Sequence, residues 1–515
     1  MADERGCRGV RVVFRTDASV QIGSGHVMRC LTLADELRGH GADVSFVCRD
    51  LPGNLFTLVR SQGFGLEILP APDATEGWEE DGVEHAHWLG VPWQRDAAET
   101  RVLLAHTDWL VVDHYALDAR WEQSLRPYVQ RIMVIDDLAD RRHDCDLLLD
   151  QNLHANPERR YDQLVPAHCR KLLGPHYALL RPEFAEARRH LRSRDGTVRR
   201  ILVSFGGTDP TNETMKALDA IAMLQRPDLT VDVVVGASNP KQASIRARCE
   251  AMPGVAFHRQ VDGMAALMAK ADLAIGAGGG TSWERCALGL PALAYPVAHN
   301  QSPVLEALAA EGACYLPERA SVATSQGLAQ HLFALLGNSA LCRVLSRNAA
   351  HLVDGSGVNR VAMALCPPRL FMRRAMAQDC ARLLAWRNHP DTRRHALDPE
   401  PIAADTHQRW CESVLVAPNS ILLIAETSAG EPVGVLRFDL QHKQAELSIY
   451  LVPGLAGRGL GTAVLSQGEA WLRLWHPEVK VLSAAIMPDN HASTRLFTRA
   501  GYDPVQTVYR KRLDK

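Results

Sequence analysis

The tightest constraint on this chain is a unit that occurs twice: an apolar strand that runs into a glycine loop opening a helix. In the first copy, Val12-Val13-Phe14 leads to Gly23-Ser24-Gly25 and then to a helical pattern over residues 27–37. In the second, residues 201–204 lead to Gly206-Gly207. Strands and helices that alternate in this way pack as a parallel sheet with helices on its faces. Further apolar, β-branched runs at 44–47, 110–112 and 132–135 extend the first half, and those at 231–235 and 273–275 extend the second. The expectation is two doubly wound, Rossmann-like α/β halves, residues 1–195 and 196–365.

Cys366-Pro367-Pro368-Arg369 cannot continue a helix and reads as a linker, residues 366–369. Beyond it the order of elements changes, so a third, α+β domain is expected over 370–515. It starts with a helix, continues with a hairpin of strands 421–426 and 433–440 across Gly430, and adds a strand at 446–452. Three such units suit 515 residues of which 46% are hydrophobic, because a single core of that size is unusual.

Charge narrows the partners. Lys and Arg number 57 against 59 Asp and Glu, a net charge of −2, so nothing favours nucleic acid or an anionic membrane surface. The first nine residues, MADERGCRG, are charged where a signal peptide needs an apolar stretch, and no run approaches the roughly 18 apolar residues of a span. A soluble, cytoplasmic protein is expected. Its twelve cysteines show no CxxC pair and no Cys/His cluster of ligand spacing, so they are read as reduced, with no metal site.

His26 stands where the first glycine loop, closing on Gly25, turns into its helix. A neutral imidazole there either takes a proton from water or simply caps the helix, and spacing alone leaves the two readings level. In the second half, Gly206-Gly207-Thr208 and Gly278-Gly279-Gly280-Thr281-Ser282 come after strand ends, where open α/β sheets bind ligands, and such loops suit a pyrophosphate. Glu284 is either an acceptor for a ribose diol or a first-turn carboxylate favoured by the helix dipole. Asn300-Gln301 is either a loop turn or a sugar-binding pair.

In the third domain, the strand ending at Val452 runs into Gly457-Arg458-Gly459-Leu460-Gly461-Thr462, whose glycines open a helix reaching about residue 474. Backbone amides at that place suit the pyrophosphate of coenzyme A. Glu446, on the preceding strand, is either the group that deprotonates an acceptor amine through a water or a solvated strand carboxylate.

Six segments, RTDASVQIGSGHVMRC, LVVDHY, VIDDLADRRHDCDLLLDQN, LLGPHYALLRPEF, SFGGTDPTN and GGGTSWERCALGLPALAYPVAHNQ, together resemble the UDP-sugar hydrolases of pseudaminic acid biosynthesis over roughly residues 10–360. That family is similar to GT-B glycosyltransferases of the MurG type in which water replaces the acceptor. The resemblance implies UDP-2,4-diacetamido-2,4,6-trideoxy-β-L-altropyranose as substrate, cleaved at its anomeric C–O bond, with flagellin glycosylation downstream. It implies His26 as general base, Glu284 as the ribose contact, Asn212 and Asn300 near the nucleotide or sugar, and Asp17 and Tyr115 toward the sugar.

The loop Ala456-Gly457-Arg458-Gly459-Leu460-Gly461, the stretch Asn490-His491-Ala492-Ser493 through Gly501-Tyr502, and Trp386-Arg387-Asn388 resemble the GNAT acetyltransferase superfamily. This implies acetyl-CoA as cosubstrate and Asn490 as one of its contacts. Two positions depart from the pattern: Ala456 replaces the usual Gln or Arg, and Phe497 stands where a tyrosine often serves as general acid. The pair of resemblances implies two consecutive steps in one chain, N-acetylation of the 4-amino UDP-sugar and hydrolysis of the product. The rivals are a glycosyltransferase with a sugar or lipid acceptor, beside a protein or small-molecule acetyltransferase, and a chain in which one domain only binds.

Overall fold

The computed structural model describes residues 9–505 apart from 73–81, 208, 237–238, 260, 262, 299–300, 368–369, 397, 428–429 and 458. Thr208, Asn300, Arg458 and the Pro368-Arg369 half of the linker therefore lie outside the described residues. The chain divides into two compact units, one of Val10–Arg38 with Asp43–Val361, the other of Ala362–Lys515 with Gly39–Ala42 and the N-terminal residues through Gly9.

The first unit contains two parallel sheets. The first sheet has strands β1 (Arg11–Thr16), β2 (Asp43–Arg49), β3 (Gly65–Leu69), β4 (Thr107–Asp113), β5 (Val129–Ile135), β6 (Leu147–Asp150) and β7 (Arg170–Leu173), in the order β3-β2-β1-β4-β5-β6-β7. Chain progression reverses between β1 and β4, and a crevice forms at such a switch point beyond the strand ends. The register pairs Thr16 with Asp113, so both strands end level at that crevice. Leu110, Val111 and Val112 are almost wholly buried, as expected of a strand covered on both faces.

The second sheet repeats the plan with β8 (Arg200–Ser204), β9 (Thr230–Val235), β10 (Val255–Arg259), β11 (Leu273–Gly276) and β12 (Ala292–Ala294), ordered β10-β9-β8-β11-β12. Its switch point lies between β8 and β11, and the two glycine loops of the sequence extend from these two strands. Gly276 is glycine for packing: an added Cβ would sit 2.4 Å from the Ser204 carbonyl oxygen.

The second unit is built on β13 (Phe371–Arg374), β14 (Ser420–Glu426), β15 (Pro432–Gln441), β16 (Gln444–Leu451) and β17 (Val481–Ser483), neighbours in chain order. All pairs are antiparallel except β16 with β17, which run parallel. That parallel pairing covers only Gln444 to Glu446, so β16 parts from β17 after its third residue. The helix Leu460–Trp475 buries Leu460, Val464, Leu465 and Leu472 against this sheet.

The cysteines require a correction. Cys380, on the helix Cys380–Asn388, and Cys411, on the helix Ala404–Val416, form a disulfide with Cα atoms 6.0 Å apart. The pair is 31 residues apart in sequence, and only the packing of the two helices brings the thiols together. The other described cysteines are all buried. Among the described residues no single helix is long and apolar enough to cross a membrane.

Candidate functional site

His26 lies in the first turn of the helix Gly25–Gly39, above the ends of β1 and β4. Its Nδ1 meets Asp113 Oδ1 at 2.6 Å, and its side chain is 9% exposed. The ring bonds to that carboxylate and not to a helix amide, which sets aside the capping role for this side chain. Arg29, one turn along, clamps the same carboxylate with Nε to Oδ2 and Nη2 to Oδ1, both 2.7 Å, and the Cys30 thiol donates to Oδ2 at 3.4 Å. Burial by itself would raise the Asp113 pKa, but the charges of Arg29 and then His26 hold it well below the usual carboxylate range. Asp113 is thus a permanent anion that orients His26.

Tyr115 stands edge-on to His26, ring centroids 4.5 Å apart at 85°. Its hydroxyl donates to Asp137 Oδ1 at 2.5 Å. Burial, and then the Asp137 charge, push the phenol well above its ordinary value, so it remains a donor. Asp137 also accepts from Arg29 Nη1 and Asn152 Nδ2, each at 3.2 Å, and the Asn152 carbonyl accepts from Trp283 Nε1 at 3.2 Å. Trp283 belongs to the helix Thr281–Ala287 of the second half. A continuous hydrogen-bonded chain therefore links this helix to the His26–Asp113 pair.

Asp17 takes a different place from the one expected. Its carboxylate is fully buried, pairs with Arg15 Nη1 at 2.7 Å, accepts from the Arg49 amide at 2.7 Å, and lies 3.3 Å from His114 Nε2. Arg15 and Arg49 are pinned from the other side by Asp96 at 2.7 and 2.6 Å. This closed ionic cluster holds β1 and β2 together and leaves Asp17 no oxygen facing a sugar.

In the second half, no described residue lies within 4 Å of a Cβ added at Gly207 or Gly280, which among the described residues leaves their backbone open to a ligand. The helix Glu213–Met223 is closed to a pyrophosphate, contrary to expectation. Asp209 already accepts from the amides of Glu213 and Thr214 at 2.8 and 2.9 Å, and its negative charge occupies that helix start. Asn212, at φ 61°, buries Oδ1 without a hydrogen-bond partner among the described residues. Ser282 is buried and its hydroxyl accepts from Arg285 at 2.9 Å, while the neighbouring Thr281 is partly exposed. Gln301 Oε1 accepts from the Val297 amide at 3.0 Å, which holds the loop after β12. Glu284 pairs loosely with Arg181 at 3.5 Å, and burial raises its pKa.

In the second unit, Gly457 and Gly459 adopt φ of 83° and 81°, Gly459 directly before the helix Leu460–Trp475. Val452 donates its amide to the Val433 carbonyl at 2.9 Å and so anchors the strand end that feeds this loop. Gly461 packs toward Leu496, and the Thr462 amide donates to the Gly459 carbonyl at 3.3 Å. Asn490 Oδ1 accepts from the Ser493 amide at 3.0 Å and caps the helix His491–Arg499. Glu446 is exposed on β16 at the point where β17 departs. Phe497 is buried with its ring 5.0 Å from that of Tyr502, in the position where a tyrosine acid was sought. Tyr450, on β16, is a phenol that sequence reasoning passed over, and burial pushes its pKa up.

Comparison with known proteins accords with this division. Residues 201–340 match the glycosyltransferase family 28 C-terminal domain, and residues 369–503 match the acetyltransferase (GNAT) domain. An uncharacterized protein of Methanocaldococcus jannaschii is 22% identical over 512 residues, covering 96% of each chain. The spore coat polysaccharide biosynthesis protein SpsG of Bacillus subtilis is 31% identical over 204 residues, 39% of this chain and 59% of that protein. The UDP-2,4-diacetamido-2,4,6-trideoxy-beta-L-altropyranose hydrolase of Campylobacter jejuni is 26% identical over 232 residues, 45% of this chain and 71% of that one. Among solved structures, MurG of Acinetobacter baumannii covers 69% of this chain and 99% of its own, at 14% identity and a TM-score of 0.46. The chain therefore joins a glycosyltransferase-like region, homologous to that hydrolase, to a GNAT acetyltransferase domain.

Proposed function

We propose that the first unit hydrolyses UDP-2,4-diacetamido-2,4,6-trideoxy-β-L-altropyranose to UDP and the free sugar, and that the second unit forms this substrate by transferring acetyl from acetyl-CoA to the 4-amino group. The observation that carries the reading is the His26–Asp113 pair at the switch point of the first sheet. With the Nδ1 proton committed to Asp113, the Nε2 lone pair takes a proton from water as that water attacks the anomeric carbon opposite the leaving group. UDP leaves as a stable anion, so electrostatic support at its phosphates matters more than protonation. The open backbone at Gly207 and Gly280 provides the approach, and Glu284 is assigned to the ribose diol.

In the acetyltransferase domain, the Gly457–Thr462 loop and Asn490 are assigned to coenzyme A, whose thioester supplies the acetyl group. Glu446 accepts the amine proton through a water. A thiolate near neutral pH departs without full protonation, so Phe497 is compatible with transfer. Both proposed substrates are charged, water-soluble compounds that do not cross a membrane unaided, and we assign the enzyme to the cytoplasm.

The match to glycosyltransferase family 28 favours one second reading, transfer of the sugar to an acceptor hydroxyl. Supplying the 4-amino UDP-sugar with acetyl-CoA, and tracking every product mass with time, separates the two. Sequential appearance of the acetylated nucleotide sugar, then UDP and free sugar without any acceptor, is expected. Acetylation without UDP release overturns the hydrolase reading. His26→Ala should retain UDP affinity and lose at least about a hundredfold in turnover, and near-normal turnover removes His26 from the mechanism.

A further inference from the structure

The second half of the first unit gathers arginines, at the end away from its glycine loops, that the mechanism does not use. Residues 188–194 include four of them, Arg188, Arg189, Arg192 and Arg194. The stretch Leu191–Arg194 and the helix Ser339–Leu352 line a groove of about 550 Å³. Its charged lining is Arg192, Arg194, Arg343 and Arg347, with no carboxylate among the described lining residues, and Leu191 and Val344 add apolar surface. The groove lies toward the starts of β8 and β11. Arg192 there pairs with Asp272, whose other oxygen accepts from the Arg199 and Arg200 amides at 2.9 Å.

These arginines are held in place without being neutralised. Arg192 Nη2 and Arg194 Nε both donate to the Ala271 carbonyl, at 3.3 and 3.1 Å, so two like charges share one oxygen. Arg194 gives its other nitrogens to the Met268, Leu288 and Gly289 carbonyls at 3.0, 2.5 and 3.2 Å, and bonds to no carboxylate among the described residues. Burial, and then the Arg192 charge, lower its pKa to about 10, the direction of an uncompensated cation. Arg343 and Arg347 are exposed and one turn apart on their helix, a like-charge spacing that destabilises it. Arg343 Nη1 donates to the Asp195 carbonyl at 2.9 Å and the Ser339 hydroxyl at 3.4 Å, and Arg347 bonds to nothing among the described residues. The nearby acids are Asp272 and Asp195, whose carboxylate turns to the Thr197 amide at 2.8 Å. Four positive charges therefore face two negative ones.

That excess suits a dianion. The chain as a whole carries a net charge of −2, which gives no long-range pull toward a polyanionic polymer or membrane, and the groove has the volume of a small-ligand site. We propose that the groove between residues 191–194 and the helix Ser339–Leu352 is a second anion site, which takes from solution a small organic phosphate carrying two negative charges. Arg343 and Arg347 supply free guanidinium edges, whose planar forks match phosphate oxygens. Arg192 and Arg194 supply a fixed positive field beside them, and Leu191 and Val344 face the organic part. The site owes nothing to the hydrolase reading, because the glycine loops leave the opposite ends of β8 and β11.

The full chain is titrated calorimetrically with glucose 1-phosphate, inorganic pyrophosphate and, as a neutral control, glucose, at physiological ionic strength and with UDP and coenzyme A saturating. The double variant Arg343→Gln/Arg347→Gln is compared with Arg60→Gln/Arg246→Gln, which removes two exposed arginines that do not line the groove. Wild type should bind one molecule of either phosphate and no glucose. The groove variant should weaken both phosphates at least about tenfold, with melting temperature and UDP affinity unchanged, and the control variant should stay within about twofold of wild type. Absence of phosphate binding overturns the site, as does binding that survives the groove variant or falls equally in the control. Binding of pyrophosphate without glucose 1-phosphate overturns the organic-phosphate class. Sedimentation with phosphatidylglycerol vesicles that depends on Arg343 and Arg347, in a chain that binds neither soluble phosphate, overturns the small-ligand site in favour of a membrane surface.

Discussion

Asp113→Asn tests the site by replacing one carboxylate oxygen with an NH₂ at almost unchanged shape. Asp113 Oδ1 receives both His26 Nδ1 and Arg29 Nη2, and Oδ2 receives Arg29 Nε and the Cys30 thiol. Asparagine has a single acceptor oxygen for these two positions. With that oxygen at the Oδ1 place, its NH₂ opposes the Arg29 Nε–H. With the amide flipped, NH₂ points at His26 Nδ1, the imidazole proton moves to Nε2, and the base is lost. Neither orientation satisfies the set, and one holds the wrong tautomer.

Loss of one partner from a buried ion pair costs about 3–5 kcal/mol. Arg29 retains Asp137 at 3.2 Å, so the lower end is expected here. Turnover of the folded protein should fall about 10²–10⁴-fold, the range for general-base catalysis, with the UDP dissociation constant unchanged. The control is Asp96→Asn, which removes an equally buried carboxylate from Arg15 and Arg49 and contacts neither His26 nor Arg29. It should lower the melting temperature comparably and leave turnover per folded molecule within about threefold of wild type. If Asp113→Asn also hydrolyses within about threefold of wild type, Asp113 does not position the base.

Asn152→Ala breaks the link from Trp283 to Asp137 and should lower hydrolytic turnover several-fold while UDP still binds; an unchanged turnover refutes the coupling. Gly459→Glu meets a backbone at φ 81° and adds a carboxylate at the place proposed for the coenzyme A pyrophosphate, so acetyl-CoA binding should vanish while hydrolysis of an acetylated substrate continues; retained acetyl transfer refutes the loop assignment. Serine at both Cys380 and Cys411 should destabilise the acetyltransferase unit by up to about 3.5 kcal/mol, from closure of a loop of this span, without changing hydrolysis. Asp17, Asp96, Asp113 and Asp136 all have pKa values lowered by folding, because paired charges outweigh burial. The stability they contribute is present above their unfolded pKa, near pH 4, and is lost as pH falls through the folded values, so the melting temperature should drop steeply below about pH 4. A flat acid profile refutes that sign.

How much could be read from the sequence depends on the physics of burial. Strands covered on both faces read as unbroken apolar runs, which is why β4, β5, β8 and β11 were legible. The edge strands β3 and β7 and the three-residue β17 alternate or carry charge, as edges do, and gave no such signal. Chemistry that depends on distant residues was equally hidden. Asp113 lies 87 residues from His26, and the Cys380–Cys411 pair depends on the packing of two helices.

Local signals were open to misreading in the other direction. Asp209 stands four residues before Glu213, and its carboxylate accepts from the first two helix amides, so it fills the place that glycines alone suggested for phosphate. At His26 the same loop-to-helix position leaves a base and a cap indistinguishable, because both need an imidazole at a first turn. The direction of Nδ1 separates them: a cap turns it to an amide, whereas here it meets a buried anion held by Arg29. An imidazole fixed from behind by a permanent negative charge has one nitrogen committed and the other able to accept a proton. That asymmetry depends on a parallel sheet bringing the end of β4 beside the end of β1, so the base role proposed for His26 rests on the topology of the sheet beneath it.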